Sequence, residues 1–315
     1  MSRIAAWIGV SRQAIYKSQK QFDARGDLRE KITGFVQTQR GINKKIGGVK
    51  LHQCFAREHP EDNIGRDRFL DVLRGAGLLL RRKRAAKSAS ASRAERDGRQ
   101  DLAHKLSVAG PGHLWVHDDT EVVILQGKAH LALSTDAYSH KVVGYSWSQR
   151  ANSEHAQGAL KMALAGHVHG EMTLIHHSDN GSIYGSKAYQ LLLKNQPIAI
   201  SWSPPGRPDR NAIAERINLT FKDEYLCDSH TKGFEQIEKE LPMYINHYNE
   251  SRPHMSCGNC YPSQIHEGMG EPKKLWKQRP ASYPRPTPEG DIPSGVDSLL
   301  EIKVLTSVRN NVNKH

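Results

Sequence analysis

The chain has 315 residues, 37% apolar and 25% charged, enough for one sizeable core and one or two smaller units. Its apolar runs fall short of a membrane span, its first residues lack a signal-peptide pattern, and four cysteines do not make a disulfide scaffold, so a cytoplasmic setting is expected. Residues 1–100 hold 23 Lys+Arg against 10 Asp+Glu, a balance of +13 within a net +12, whereas the other 215 residues hold 22 against 23; this layout suits a nucleic-acid-binding arm on a nearly neutral body, with a merely soluble basic helical domain as the plain alternative.

Ile4, Ala5 and Ile8 recur at helical spacing, Gly9 breaks the pattern, and Ser11 can cap a helix starting at Arg12. Helix, glycine turn and capped helix is the shape of a helix-turn-helix. Further helices are expected over about 28–39, 47–58 and 66–79. The last carries Phe69, Leu70, Leu73 and Leu78 as its apolar stripe, with Arg66 and Arg68 at a basic N-terminus of the kind that enters a major groove. An ordinary solvated helix face is the alternative. Residues 81–100 are basic, rich in Ala and Ser and poor in large apolar groups, which reads as a linker. The expected organisation is a helical, DNA-binding region over 1–84 and a basic linker over 85–109.

From 110 the pattern changes. Residues 114–125, 128–138 and 140–148 read as three strands joined by short turns, followed by a helix over 153–165, a strand over 172–179, a helix over 186–194, a strand over 197–203 and a helix over 210–226. The order βββαβαβα specifies an α/β fold with a mixed five-stranded sheet and flanking helices. This unit is expected to span 110–268. Beyond it, residues 269–315 form a proline-rich tail expected to lack stable order.

Three acids stand where this fold brings chemistry together. Asp118 is on the first strand, where period-two alternation puts Val116, Asp118 and Thr120 on one face and His117, Asp119 and Glu121 on the other. Asp179 lies where the chain leaves the fourth strand, and ligand sites of open α/β sheets lie near strand ends. Glu215 is on the last helix of the core. At about 100° per residue, Asn211, Glu215, Asn218 and Lys222 share an arc of about 60°, with Ile213, Ile217 and Phe221 roughly opposite. Phosphodiester cleavage needs an activated water or hydroxyl and a stabilised leaving oxygen, and two magnesium ions about 3.5–4 Å apart supply both. Converging carboxylates are the ligands such ions take. Read singly, each acid is more ordinarily a surface carboxylate.

Residues 112–255 resemble the integrase-type core of insertion-sequence transposases of the OrfB kind, within the retroviral-integrase superfamily. The resemblance rests on residues 114–120 (LWVHDDT), 135–145 (TDAYSHKVVGY), 175–182 (IHHSDNGS), 211–216 (NAIAER), 219–225 (LTFKDEY) and 248–254 (YNESRPH), with 35 residues between Asp179 and Glu215. It implies an RNase H-like fold and a DDE-type transposase that cleaves DNA at element ends and joins it to a target. It further implies Asp118, Asp179 and Glu215 as ligands of two Mg2+ ions (Mn2+ as the alternative metal), and Lys222 near DNA phosphates, with Asn211, His177, Arg66 and Arg68 as further DNA-facing candidates. The implied partners are DNA, further copies of the chain and an upstream OrfA-type helix-turn-helix protein or fusion, in a bacterial, nucleoid-associated setting. A decayed, DNA-binding regulator is the alternative function, and Asp119 the alternative to Asp118.

Other features carry weaker signals. Cys257-x-x-Cys260 with His254 is half of a zinc site, and unmetallated thiols are the plainer reading. Arg252 suits a phosphate contact or a salt bridge equally. Trp115 and Trp202 read as core residues, and Asp136 as a turn residue.

Overall fold

In the computed structural model, which describes residues 11–80, 100–167 and 173–272, five strands form one sheet: β1 (Leu114–Ile124), β2 (Gly127–Asp136), β3 (Val142–Ser148), β4 (Leu174–Ser178) and β5 (Ile198–Trp202). Their order is β3-β2-β1-β4-β5. The first three form an antiparallel meander; β4 and β5 run parallel to β1, so the longest strand sits in the centre. This is the expected mixed five-stranded α/β sheet.

Helices cover both faces. On one lie α4 (Ser153–Ala165) and α5 (Lys187–Lys194). On the other lie α6 (Ala212–Thr220), a π-helical turn over Phe221–Tyr225 and α7 (Phe234–Glu250). Ile217, Phe221 and Tyr225 meet Val122, Ile124, Ala129, Leu131 and Leu133 in the largest core cluster, completed by Leu241, Tyr244 and Tyr248. Each such side chain contributes roughly 1.5–3 kcal/mol by leaving water. Gly144 on β3 lets α4 seat closely: a Cβ there would stand 2.2 Å from the Ala159 carbonyl oxygen. A short helix, α8 (Pro262–His266), closes the described chain.

The helical region holds α1 (Arg12–Ile42), α2 (Gly48–Glu58) and α3 (Arg66–Gly75) around Ile32, Val36, Leu51, Phe55, Phe69 and Leu73. Phe55 sits centrally, its ring 5.3 Å from Phe35 and 5.5 Å from Phe69. The stripe expected on 66–79 is the buried one. The separate helices expected from Arg12 and over 28–39 are instead one helix of 31 residues. No proline interrupts them, and Gly26 costs a helix only about 1 kcal/mol relative to alanine. Ser11 caps α1 by accepting from Ala14 N–H. The first half of the expected helix-turn-helix, residues 1–10, lies outside the described residues, as do 81–99 of the linker and 273–315 of the tail.

Residues 100–109, assigned to the linker, are held on the sheet. Gln100 O accepts from Trp202 N–H, Ser201 Oγ accepts from the Leu102 and Ala103 N–H groups, and Leu106 and Val108 pack beside Leu114 and Val116. They extend the β5 edge through backbone and Ser201 hydrogen bonds between positions about 100 residues apart, which no local pattern shows. None of the described helices is long and apolar enough to cross a membrane.

The helical region is joined to the core through Glu224, in the π-helical turn. Its carboxylate accepts from Asn43 Nδ2 (2.9 Å), Lys50 Nζ (3.0 Å), Arg252 Nε (2.8 Å) and Arg252 Nη2 (2.7 Å), and its carbonyl accepts from Lys45 N–H. Burial alone would raise this carboxyl; Arg252, Lys50 and Asn43 outweigh it and hold it well below the carboxylate range. Arg252, 4% exposed, is thus a structural ion-pair partner and does not face a phosphate.

Candidate active site

The parallel register pairs His117 with Ser178, and continuing it by one residue sets Asp118 beside Asp179 on the same face, where β4 ends. That face carries Val116 and Val122 and is covered by α6, so Asp118 points toward the helix bearing Glu215. Asn218, one turn after Glu215, donates from Nδ2 to Asp118 Oδ2 at 2.9 Å, and the Asp119 N–H donates to Asp118 Oδ1. The Gly181 N–H donates to Asp179 Oδ1 at 3.0 Å. A side chain at Gly181 would press on that oxygen, since a Cβ would stand 2.9 Å from it.

The electrostatics report a shared negative field. Burial, then the Asp179 charge, raise Asp118 to about 7 against the opposing Asn218 and Asp119 donors, and Glu215 adds to the rise. Asp179 is raised by its partly desolvated setting and by Asp119. Glu215, solvent-facing, is raised by desolvation, Asp209 and Asp179. Among the described residues none of the three makes an ion pair. Desolvation is the larger cause in each case, and acids that approach one another without a cation add to it, as Asp179 and Glu215 do for Asp118.

Asp119, the alternative to Asp118, faces the other way. Its oxygens are 3.0 Å from His130 Nδ1 and 3.0 Å from His155 Nε2 of α4, so its lone pairs are already engaged. Two candidates for DNA contact are buried. His177, 0% exposed, sits between Ser201 Oγ (2.8 Å) and Ser203 Oγ (2.9 Å), covered by β5 and its exit. Asn211, 4% exposed, donates to the His117 carbonyl at 2.9 Å and pins the start of α6 to β1. Both side chains are buried and hydrogen-bonded within the fold. Lys222 is half-buried in the π-helical turn and, among the described residues, has no ion pair. Arg66 and Arg68 stand on the solvent face of α3, in the separate core of the helical region, Arg66 paired with Asp67.

Asn218 is the residue the sequence reading passed over. Its signal was present, three residues after Glu215 on the same arc, but its bond to Asp118 crosses 100 residues. The other expected structural residues hold: Trp115 is buried in the sheet core, and Asp136 accepts from the Gly112 and Ser139 N–H groups.

Comparison with known proteins converges on the same unit. Two family models described as "Integrase core domain" match residues 108–208 and 196–262. The HTLV-2 integrase catalytic core domain, solved in complex with magnesium, is 21% identical and covers 51% of this chain and 99% of its own, with a TM-score of 0.41. The transposase for insertion sequence element IS629 of Shigella sonnei is 31% identical over 240 residues, covering 76% of this chain and 75% of its own. The transposase for IS904 of Lactococcus lactis is 30% identical over 231 residues. Since that alignment takes in 68% of this chain and 90% of the Lactococcus protein, the chain belongs to the insertion-sequence transposases with an integrase-type catalytic core.

Proposed function

We propose that this DDE-type transposase cleaves and joins DNA strands through Asp118, Asp179 and Glu215, which together hold a pair of Mg2+ ions, with Mn2+ as a substitute. The observation that carries the proposal is the register that sets Asp118 beside Asp179 at the end of β4, under the helix of Glu215, with no ion pair to any of the three among the described residues; the rise of Asp118 to about 7 accords with it. The donors fit a hard divalent cation: all are oxygens, and Asn218 Oδ1 is buried without a partner among the described residues. When bound, such ions activate the attacking oxygen and stabilise the leaving one.

The chain's own residues do the rest. Asn218 and the Asp119 N–H orient the Asp118 carboxylate and favour its ionised form, and the Gly181 N–H does the same for Asp179. Asn211 fixes α6, and therefore Glu215, against β1. Lys222, at the end of that helix, is placed to meet a DNA phosphate, while Arg66 and Arg68 offer the helical region's solvent face to the duplex. Joining two ends requires more than one copy of the chain, and an OrfA-type partner would add end recognition.

The test is Mg2+-dependent nicking and strand transfer on DNA carrying the source element's ends. Wild type is expected to exceed Asp179→Asn by at least about 100-fold, the scale on which removing one element of preorganised charge stabilisation acts. A wild-type signal no larger than the variant's would overturn the catalytic assignment and leave a DNA-binding regulator.

A further inference from the structure

Away from the carboxylates, three side chains from two distant segments converge. His140 lies in the β2–β3 turn, and His254 and Cys257 follow α7; one ring nitrogen of each histidine and the Cys257 sulfur lie within 4.8 Å of one another. We infer that His140, His254 and Cys257 form a binding site for a soft divalent transition metal, zinc by donor type, which staples the segment after α7 to the β2–β3 turn. The sequence offered only half of this site. The missing ligand, His140, comes from more than 100 residues upstream.

The local backbone is shaped around these groups. Cys257 and Cys260 flank a tight turn in which Gly258 (φ 62°) and Asn259 (φ 67°) are left-handed, closed by Cys260 N–H on Cys257 O at 2.9 Å. Cys260 stands on the same turn as Cys257. His140 is also left-handed (φ 61°), a costly state for a residue with a Cβ, and such strain gathers at functional positions.

The buried Cys257 thiol donates to the Ser139 carbonyl. A bound cation is what makes it a thiolate. Nitrogen and sulfur donors select zinc over magnesium, which separates this site from the all-oxygen one. The two imidazole rings are parallel, 4.6 Å apart and 14° from coplanar orientation. In-plane lone pairs of parallel rings do not meet at one point, so binding turns one imidazole about its Cβ–Cγ bond. The weak 3.3 Å contact from Ser256 N–H to His254 Nδ1 is what coordination replaces.

The full-length chain, stripped with chelator, is titrated with Co2+ as a spectroscopic substitute for zinc. A thiolate-to-cobalt charge-transfer band is expected to saturate at one equivalent, to be abolished by Zn2+ and to be untouched by excess Mg2+. Cys257→Ala removes the band, and His254→Ala lowers affinity by at least about 100-fold, more than the loss of an outer-sphere partner. A missing band, or one that survives Cys257→Ala because Cys54, Cys227 or Cys260 supplies the sulfur, overturns the inference. Should Cys257→Ala fail to fold, alkylation of the wild-type thiols resolved by mass spectrometry decides: Zn2+ protection of Cys257 supports the site, and equal labelling with and without Zn2+ removes it.

Discussion

Asn218→Leu keeps the branching of the side chain, with some added bulk, and deletes the donor to Asp118. A hydrogen bond to an ionised carboxylate contributes about 1.5–3 kcal/mol. Asp118 is partly open to solvent, so the lower end applies, and at about 1.4 kcal/mol per pKa unit its carboxyl rises from about 7 to about 8. A cation must then displace a proton more often. The Mg2+ concentration for half-maximal cleavage should increase about eightfold near pH 6.5, about threefold near pH 7.5, and hardly at all near pH 9, where both proteins are ionised. The assay is initial nicking rate against Mg2+ concentration at those three pH values, wild type beside variant. The pH dependence is the diagnostic feature, because a variant damaged in folding or DNA contact loses activity equally at all three. A uniform loss, or an unchanged Mg2+ requirement, would refute the claim that Asn218 works by keeping Asp118 ionised.

The same carboxyl makes metal-free stability pH-dependent. Its folded value, about 7, lies above the 3.8 of a free aspartate, so the folded state binds the extra proton and this group's contribution to stability falls as pH rises from about 4 to about 7. The buried neutral histidines His117, His176, His247 and His254 weaken the fold on acidification, so the comparison is with Asp118→Asn, in which they are unchanged: calorimetry in chelator should show the wild-type Tm gaining on that of the variant as pH falls through the window, and added Mg2+ should raise the wild-type Tm at about pH 8 far more than at about pH 5; a Tm difference that does not change with pH would contradict the shift. At the joint, Arg252→Leu strands Glu224 with Lys50 and Asn43 alone and should cost about 3–5 kcal/mol in urea denaturation, with a loss below about 1 kcal/mol counting against the joint. Gly144→Ala drives a methyl into the Ala159 carbonyl and should cost about 1–3 kcal/mol or more, checked the same way; a neutral result would mean that α4 is free to move off the sheet.

The strands and the three acids were legible because both follow fixed periods. Alternation assigned Asp118 and Asp119 to opposite faces, and the structure keeps them there, one toward α6 and the other toward His130 and His155. Helical spacing likewise put Glu215 and Asn218 on one face. Periodicity gives direction, however, and says nothing of depth. His177 has the right face but lies under Ser201 and Ser203, whose small hydroxyls let β5 close over it. Asn211 fell into the Glu215 arc by arithmetic that assumes a helix, whereas it ends a 3-10 turn and reaches inward to β1. The π-helical turn defeats the same arithmetic beyond Phe221, so the bearing of Lys222 relative to Glu215 could not be read from spacing.

What no pattern could supply is the difference between two carboxylates of similar setting. Glu224 and Asp118 are both largely withdrawn from water, and both sit beside the face of the sheet that α6 covers. Glu224 receives Lys50 and Arg252 as well as Asn43, so its charge is compensated and its value depressed. Asp118 receives an amide and a peptide N–H, neither of them charged, and faces two further acids, so its value is elevated. One arrangement is complete and binds two parts of the chain; the other reaches electroneutrality only by taking up protons or a cation. Because the partners of Glu224 come from positions 43, 50 and 252, the distinction between a charge-compensated acid and an uncompensated one, for which metal binding is proposed, appears only when the chain is folded, and it is the compensation of charge, more than burial or face, that separates them.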